Sequence, residues 1–205
     1  MTKTIVLILL VFFIASCSIQ NEPTQFRELL LRNDGECYLP CFNDITPGVT
    51  TFDEANRILV ESDEFSGDGD SMQYRVNGVV QATIDLVRAS PISGSYLSRI
   101  EFSFEEPDML NLNDVIDASY EPNTVFRGNI AGPDALNLML AFEEEQIIVF
   151  LSVTNRVDPS SPINRIWLVA KQDWQLTLDD TRTIQGIEQQ VEWLGYAPIE
   201  VYLSQ

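Results

Sequence analysis

Met72-Gln73-Tyr74-Arg75-Val76-Asn77-Gly78-Val79-Val80-Gln81-Ala82-Thr83-Ile84-Asp85-Leu86-Val87 is the stretch on which the fold turns. Two strand-like runs, 72–76 and 79–87, flank an Asn-Gly pair. Asn and Gly are the residues that best tolerate the positive φ angles of a two-residue loop, so the pair is the strongest short-range hairpin signal a sequence carries. Further along, Tyr96, Ile100, Phe102 and Phe104 alternate with Leu97, Arg99, Glu101 and Ser103, a strand with one mainly polar face. Strands are also expected at 124–127, 135–142, 147–153 and 163–170, with Glu143-Glu144-Glu145-Gln146 turning between the second and third of these. Residues 62–70 are acidic and Gly-rich and read as a loop.

Helical spacing appears between these strands. Phe26, Leu29 and Leu30 share a face over 25–32, and Asn33-Asp34-Gly35 stops the run. Thr51 with Glu54 has the capping-box pattern, and Phe52, Ala55, Ile58 and Leu59 follow at helical intervals over 51–61. A third helix fits 112–119, with Leu112, Val115 and Ile116 inward. Ile184, Ile187, Val191 and Leu194 predict a C-terminal helix over about 180–194, ended by Gly195. The sum is an α+β fold, an antiparallel sheet with short helices on one face. Residues 45–104 and 108–170 each read as a short helix followed by about three strands, which suggests a repeat. Thr50-Thr51-Phe52-Asp53-Glu54-Ala55 lies beside Asn111-Leu112-Asn113-Asp114-Val115-Ile116 in that alignment.

The N-terminus carries a different message. Lys3 precedes the apolar run Ile5 to Ile14, and the small residues Ala15 and Ser16 close it. A charged start, an apolar stretch of this length and a small-residue exit describe a secretory signal peptide over 1–16. The run is half of the roughly 20 apolar residues a membrane-spanning helix needs. Ile14-Ala15-Ser16-Cys17 resembles the lipobox of bacterial lipoproteins. The resemblance implies lipidation of Cys17, cleavage before it, a polar tether over 17–24, and a domain over 25–205 held on the outer face of a membrane.

Loss of Lys3 with the leader leaves 11 basic against 31 acidic residues, a net charge of −20. Such a surface repels phosphate backbones, which excludes nucleic acid as a partner. It also repels anionic headgroups, so contact with the membrane is expected through the lipid anchor alone. At 45% hydrophobic and 10% aromatic residues, the chain is rich enough in apolar side chains to build a core.

With Cys17 lipidated, Cys37 and Cys41 remain, in Cys37-Tyr38-Leu39-Pro40-Cys41. An extracytoplasmic compartment favours a disulfide between them. Four extended steps would cover roughly 13 Å, so the segment must turn at Leu39-Pro40 to bring the Cα atoms within bonding range. Residues 40–55, with Pro40-Cys41-Phe42, Ile45, Pro47-Gly48, Thr50 and Glu54-Ala55, resemble a segment of uncharacterised bacterial lipoproteins. Phe42 stands where those proteins tend to have tryptophan, and Asp44 where they have glycine. The Gly-x-Thr element before a helix is also similar to the small lipoprotein of the outer-membrane barrel-assembly machinery and to the β-lactamase-inhibitor-protein fold. Both resemblances imply helix-plus-sheet units that bind other proteins, and neither brings a catalytic residue. In plain local terms, Pro47-Gly48 makes a turn and Thr50 or Thr51 caps the helix.

Chemistry is sparse. Without histidine there is no Ser-His-Asp or Cys-His arrangement and no imidazole ligand. No Gly-rich phosphate loop follows a strand, and Lys171 is the single lysine outside the leader. No catalytic residues and no cofactor are expected. Asp63, Glu64, Asp68 and Asp70 form the one candidate calcium loop, although their register does not match an EF-hand. Trp167, Trp174, Trp193, Tyr196 and Tyr202 are expected to close the core where the last helix meets the sheet, with a stacking platform as the other use. The resulting expectation is a membrane-anchored, extracytoplasmic, non-catalytic binding or assembly module whose partner is another envelope protein. A carboxylate-based hydrolase and a calcium- or small-ligand-binding accessory protein are the alternatives.

Overall fold

Asn77 and Gly78 form the expected tight turn, with φ of 50° and 81°, and Val76 pairs with Val79 across it. Positive φ at both central residues is the geometry that matches the twist of the flanking strands. The strands it joins are β2 (Ser71–Val76) and β3 (Val79–Arg88). The structure is a computed structural model and describes residues 22–31, 37–89, 95–107, 109–118, 121–132, 135–184 and 189–205. The predicted signal peptide and Cys17 lie outside the described residues.

Around this hairpin the described residues build one antiparallel sheet of nine strands in the order β1-β2-β3-β4-β8-β7-β6-β5-β9. The others are β1 (Phe65–Asp68), β4 (Leu97–Phe104), β5 (Thr124–Gly132), β6 (Ala135–Phe142), β7 (Ile147–Thr154), β8 (Ile163–Val169) and β9 (Gln189–Val191). Strand β1 corrects the loop expected at 62–70. Phe65 is buried, 6.0 Å from the Phe42 ring and 5.7 Å from Tyr74. That burial, with the β2 ladder, draws an acidic segment into the sheet. Gly67 permits it, because a Cβ there would stand 2.9 Å from the Ser71 carbonyl oxygen. The two outermost strands are only 4 and 3 residues long, a way of blunting exposed sheet edges.

Helices α1 (Glu22–Leu30), α2 (Phe52–Glu61) and α3 (Leu112–Ala118) cover one face. Helix α1 begins at Glu22, inside the stretch expected to be tether; Pro23 is accommodated because the first turn needs no intrahelical N–H. It buries Phe26 and Leu30. Thr51 caps α2 by accepting a hydrogen bond from the Glu54 N–H at 3.3 Å, whereas the Thr50 hydroxyl accepts from the Thr46 N–H at 2.9 Å and closes the Pro47-Gly48 turn.

The C-terminal segment departs from expectation. Instead of one helix over 180–194, there is α4 (Trp174–Ile184), then strand β9, then α5 (Ile199–Leu203). Val191 pairs with Val125 and is 6% exposed. The free edge of β5 offers that segment a ladder, which outweighs its helical spacing. Ile187 lies outside the described residues, and Gly195, at φ 72°, serves a turn. Helix α4 also packs on the face opposite α1–α3. Its start is fixed by Asp173, which accepts hydrogen bonds from the Tyr96 hydroxyl at 3.0 Å and the Ser98 hydroxyl at 2.6 Å.

The two halves repeat in detail, each as a helix followed by four strands rather than about three. In the first half Phe52 N–H bonds Ser95 C=O and Leu97 N–H bonds Thr50 C=O; in the second Leu112 N–H bonds Ser161 C=O and Ile163 N–H bonds Leu110 C=O. Both halves carry a register shift at the same place, between Val87 and Arg88 on β3 and between Phe150 and Leu151 on β7. Phe52 therefore matches Leu112, one position away from the sequence alignment above. The seam is self-symmetric: Arg99 faces Val169 and Arg165 faces Ser103, on either side of a central Glu101–Trp167 pair.

The halves differ on one face only. Inward positions are apolar in both, for example Leu86 and Val149, Ile100 and Ile166, Phe102 and Leu168, all buried in the main core. On the outer face Asp85, Glu101 and Ser103 of the first half correspond to Ile148, Trp167 and Val169 of the second. Those three join Phe126, Met139, Ala141 and Phe150 under Trp174 and Leu178 of α4 as a second core. The face is polar where water covers it and apolar where a helix does.

Candidate functional site

Because successive side chains alternate across a strand, the outer face displays a polar strip from β1 to β4. Arg75 Nε donates to the Ser66 hydroxyl at 3.1 Å. Gln73, Thr83, Asp85 and Ser103 are half-buried. Arg99 pairs with Glu101 and lies 4.9 Å above the Trp167 ring. Continuing across the seam, the strip enters a cleft lined by Gly128, Asn137, Met139, Phe150, Ser152, Asn164 and Arg165.

Backbone irregularities open this cleft. The β5–β6 ladder skips from Arg127–Leu138 to Ile130–Leu136, leaving residues 128 and 129 opposite Asn137. The β7–β8 ladder skips from Phe150–Arg165 to Leu151–Ile163, so Asn164 is the extra residue of a bulge. Bulges re-aim side chains, and here they set Asn164 beside Arg165. The Ser152 hydroxyl donates to Asn137 Oδ1 at 2.5 Å and accepts from Asn164 Nδ2 at 3.1 Å. The Arg165 guanidinium carbon sits 5.2 Å from the Phe150 ring centre. Among the described residues no carboxylate pairs with Arg165; the ion pairs there are Arg27–Asp114, Arg57–Glu61, Arg88–Asp53 and Arg99–Glu101. The cleft thus combines an apolar floor, a hydrogen-bonded amide row and a cation with open donor sites.

Comparison with family models, with curated proteins and with solved structures finds no match.

The other expected sites are placed as follows. Cys37 and Cys41 are bonded, with Cα atoms 5.2 Å apart; Cys41 N–H bonds Tyr38 C=O at 2.9 Å, which closes the turn that the spacing required. Asp63 and Glu64 are exposed at the entry to β1, and the Asp70 carbonyl accepts from the Leu86 N–H at 2.7 Å. The Asp68 side chain lies outside the described residues. Among the described residues no group of three or more Cys, Asp or Glu side chains is placed to hold a metal ion. The aromatic set divides between the faces. Trp193, Tyr196 and Tyr202 close the main core, while Trp167 and Trp174 belong to the outer one. The Tyr202 hydroxyl donates to Gly195 C=O at 2.6 Å. Burial raises the Tyr202 pKa against a lowering by the Leu194 N–H, and burial followed by Asp117 and Glu121 raises that of Tyr196.

Asn137, Ser152, Asn164 and Arg165 went unnoticed in the sequence. Their signal is faint: polar residues interrupting strands 135–142, 147–154 and 163–169, whose neighbouring outward positions are apolar.

Proposed function

We propose that the mature chain is an extracytoplasmic lipoprotein, anchored through Cys17, that binds another envelope protein and does so through the outer face of its sheet. The observation that carries the reading is the contrast on that face. Among the described residues, α4 shields only the apolar part of the sheet's outer face and leaves β1–β4 and the cleft beside it uncovered. A surface held by hydrogen-bonded strands loses little ordering entropy on association, and its mixture of arginine, carboxylate, amide and aromatic groups suits specific recognition. The Cys37–Cys41 bond fits an oxidising compartment.

Two measurements test the reading. Cys17→Ala should release the protein from membranes or leave it uncleaved; a correctly cleaved variant still firmly bound would place the anchor elsewhere. A photo-crosslinking residue at Ser103, on the outer face, should capture the partner in intact cells. The same residue at Val60, exposed on α2 on the helix side, should not. Capture from Val60 alone would overturn the assignment of the face.

A further inference from the structure

We infer that the cleft between β5 and β8 receives the free carboxyl end of a peptide whose last side chain is small and apolar. The inference rests on the outer-face reading above and adds the ligand's chemistry to it. Arg165 carries the argument. In a chain with 31 acidic and 12 basic residues, neighbouring carboxylates are plentiful, and Glu101 and Asp114 have taken up Arg99 and Arg27. Arg165 is half-buried in a cleft and has no such partner among the described residues. Its guanidinium carbon lies over the Phe150 ring, 5.2 Å from the ring centre, and among the described residues no carboxylate takes up its donors. That fork matches a carboxylate in two-point geometry.

The amide row supplies the second contact. Ser152 uses its hydroxyl within the row, donating to Asn137 and accepting from Asn164. With Asn164 Nδ2 engaged, its Oδ1 is oriented as an acceptor. A donor fork beside an amide acceptor is the complement of a terminal carboxylate and the N–H two bonds away from it. Met139 and the rim of Phe150 are buried apolar groups at the same site and provide the wall for the last side chain. The cavity is small, about 60 Å³, the liquid volume of about two waters, which favours a short last side chain such as a methyl over a long one.

Other anions fit less well. A sugar acid would want an open ring face to stack on, and the Phe150 face is occupied by Arg165. Phosphate, a dianion, is disfavoured more than a single carboxylate by the negative charge of the whole chain.

The experiment titrates the full mature protein with acetyl-alanyl-alanine, with its C-terminal amide, with glucuronic acid and with inorganic phosphate, following binding by calorimetry. The free acid should bind the wild type and Arg156→Gln, a change at an exposed arginine outside the cleft, and bind Arg165→Gln about tenfold or more weakly. The amide should lose a similar factor on the wild type. Equal binding of acid and amide, unchanged binding to Arg165→Gln, tighter binding of glucuronic acid or phosphate, or no binding of the free acid would each overturn the inference. The acid–amide comparison needs no variant, so it decides the matter even if Arg165→Gln folds poorly. Crosslinks from Ser103 that persist while the peptide fails to bind would leave the outer-face reading intact and remove only this ligand.

Discussion

Trp174→Ala probes the feature that distinguishes the two halves, the helix laid over the second core. Trp174 is 8% exposed and packs in the cluster of Trp167, Val169, Ile148 and Phe126. A buried indole removes about 200 Å² from water, which at about 25 cal/mol per Å² sets a ceiling of about 5 kcal/mol. Alanine keeps part of that burial and the unfolded chain hides some as well, which brings the expected loss to about 3 kcal/mol. For a chain of this size that corresponds to a fall in Tm of about 6–12 °C. Leu176 is the internal control, because it sits on the same helix but is 60% exposed. Leu176→Ala should change stability by less than about 0.5 kcal/mol. Urea unfolding followed by far-ultraviolet circular dichroism reads both. The Trp174 variant should also bind a hydrophobic dye, as Phe126, Met139 and Ile148 become accessible. A loss below about 1 kcal/mol for Trp174→Ala, or equal losses at the two positions, would refute the packing of α4 on this face.

Replacing Cys37 and Cys41 together by alanine should cost about 2 kcal/mol, the value for so short a closed loop, with the fold retained; a fully unfolded variant in a thermal scan would show the bridge to be a folding requirement. The raised pKa of Tyr202 means the folded state prefers the neutral phenol. Its stabilising contribution is full below the unfolded value near pH 10 and is lost as pH rises through the higher folded one, so Tyr202→Phe should flatten the alkaline fall in stability seen by urea titration from pH 9 to 11. An undiminished slope would assign the effect elsewhere. Gly78→Ala places a side chain at φ 81° and should destabilise by about 1–2 kcal/mol; no change in urea midpoint would mean the turn relaxes to another type.

Elements whose cause is local were legible from residues alone. Asn77-Gly78 carries its own turn geometry, and Thr51 with Glu54 carries its own cap. Elements whose cause is a distant partner were not. Phe65 lies in a stretch as acidic as any solvated loop, and only Phe42 and Tyr74 make it a strand. Ile184, Ile187, Val191 and Leu194 have helical spacing, yet Val125, far away in the chain, makes Val191 part of a ladder. The candidate cleft is the extreme case. Asn137, Ser152, Asn164 and Arg165 come from three strands and meet only through two register shifts that no local pattern announces. The anchor proposed at Cys17 is the opposite case, an expectation that rests entirely on contiguous sequence.

The order of strands shapes how the molecule assembles. Six of the eight neighbouring pairs join strands consecutive in sequence, and only β4–β8 and β5–β9 do not. Each half can zip up as a meander with short loops to close, whereas the seam must wait for Phe102 to meet Ile166 across 64 positions. While the seam is open, β4 and β8 are both bare edges, and a neighbouring molecule offers the same strands. The divergence of the halves guards against the wrong match. Two copies of β4 in the seam's register would set Glu101 directly against Glu101, and opposed like charges destabilise a strand pair. Within one chain Glu101 meets Trp167 instead, with Arg99 bridging them, so each first half is steered to its own second half.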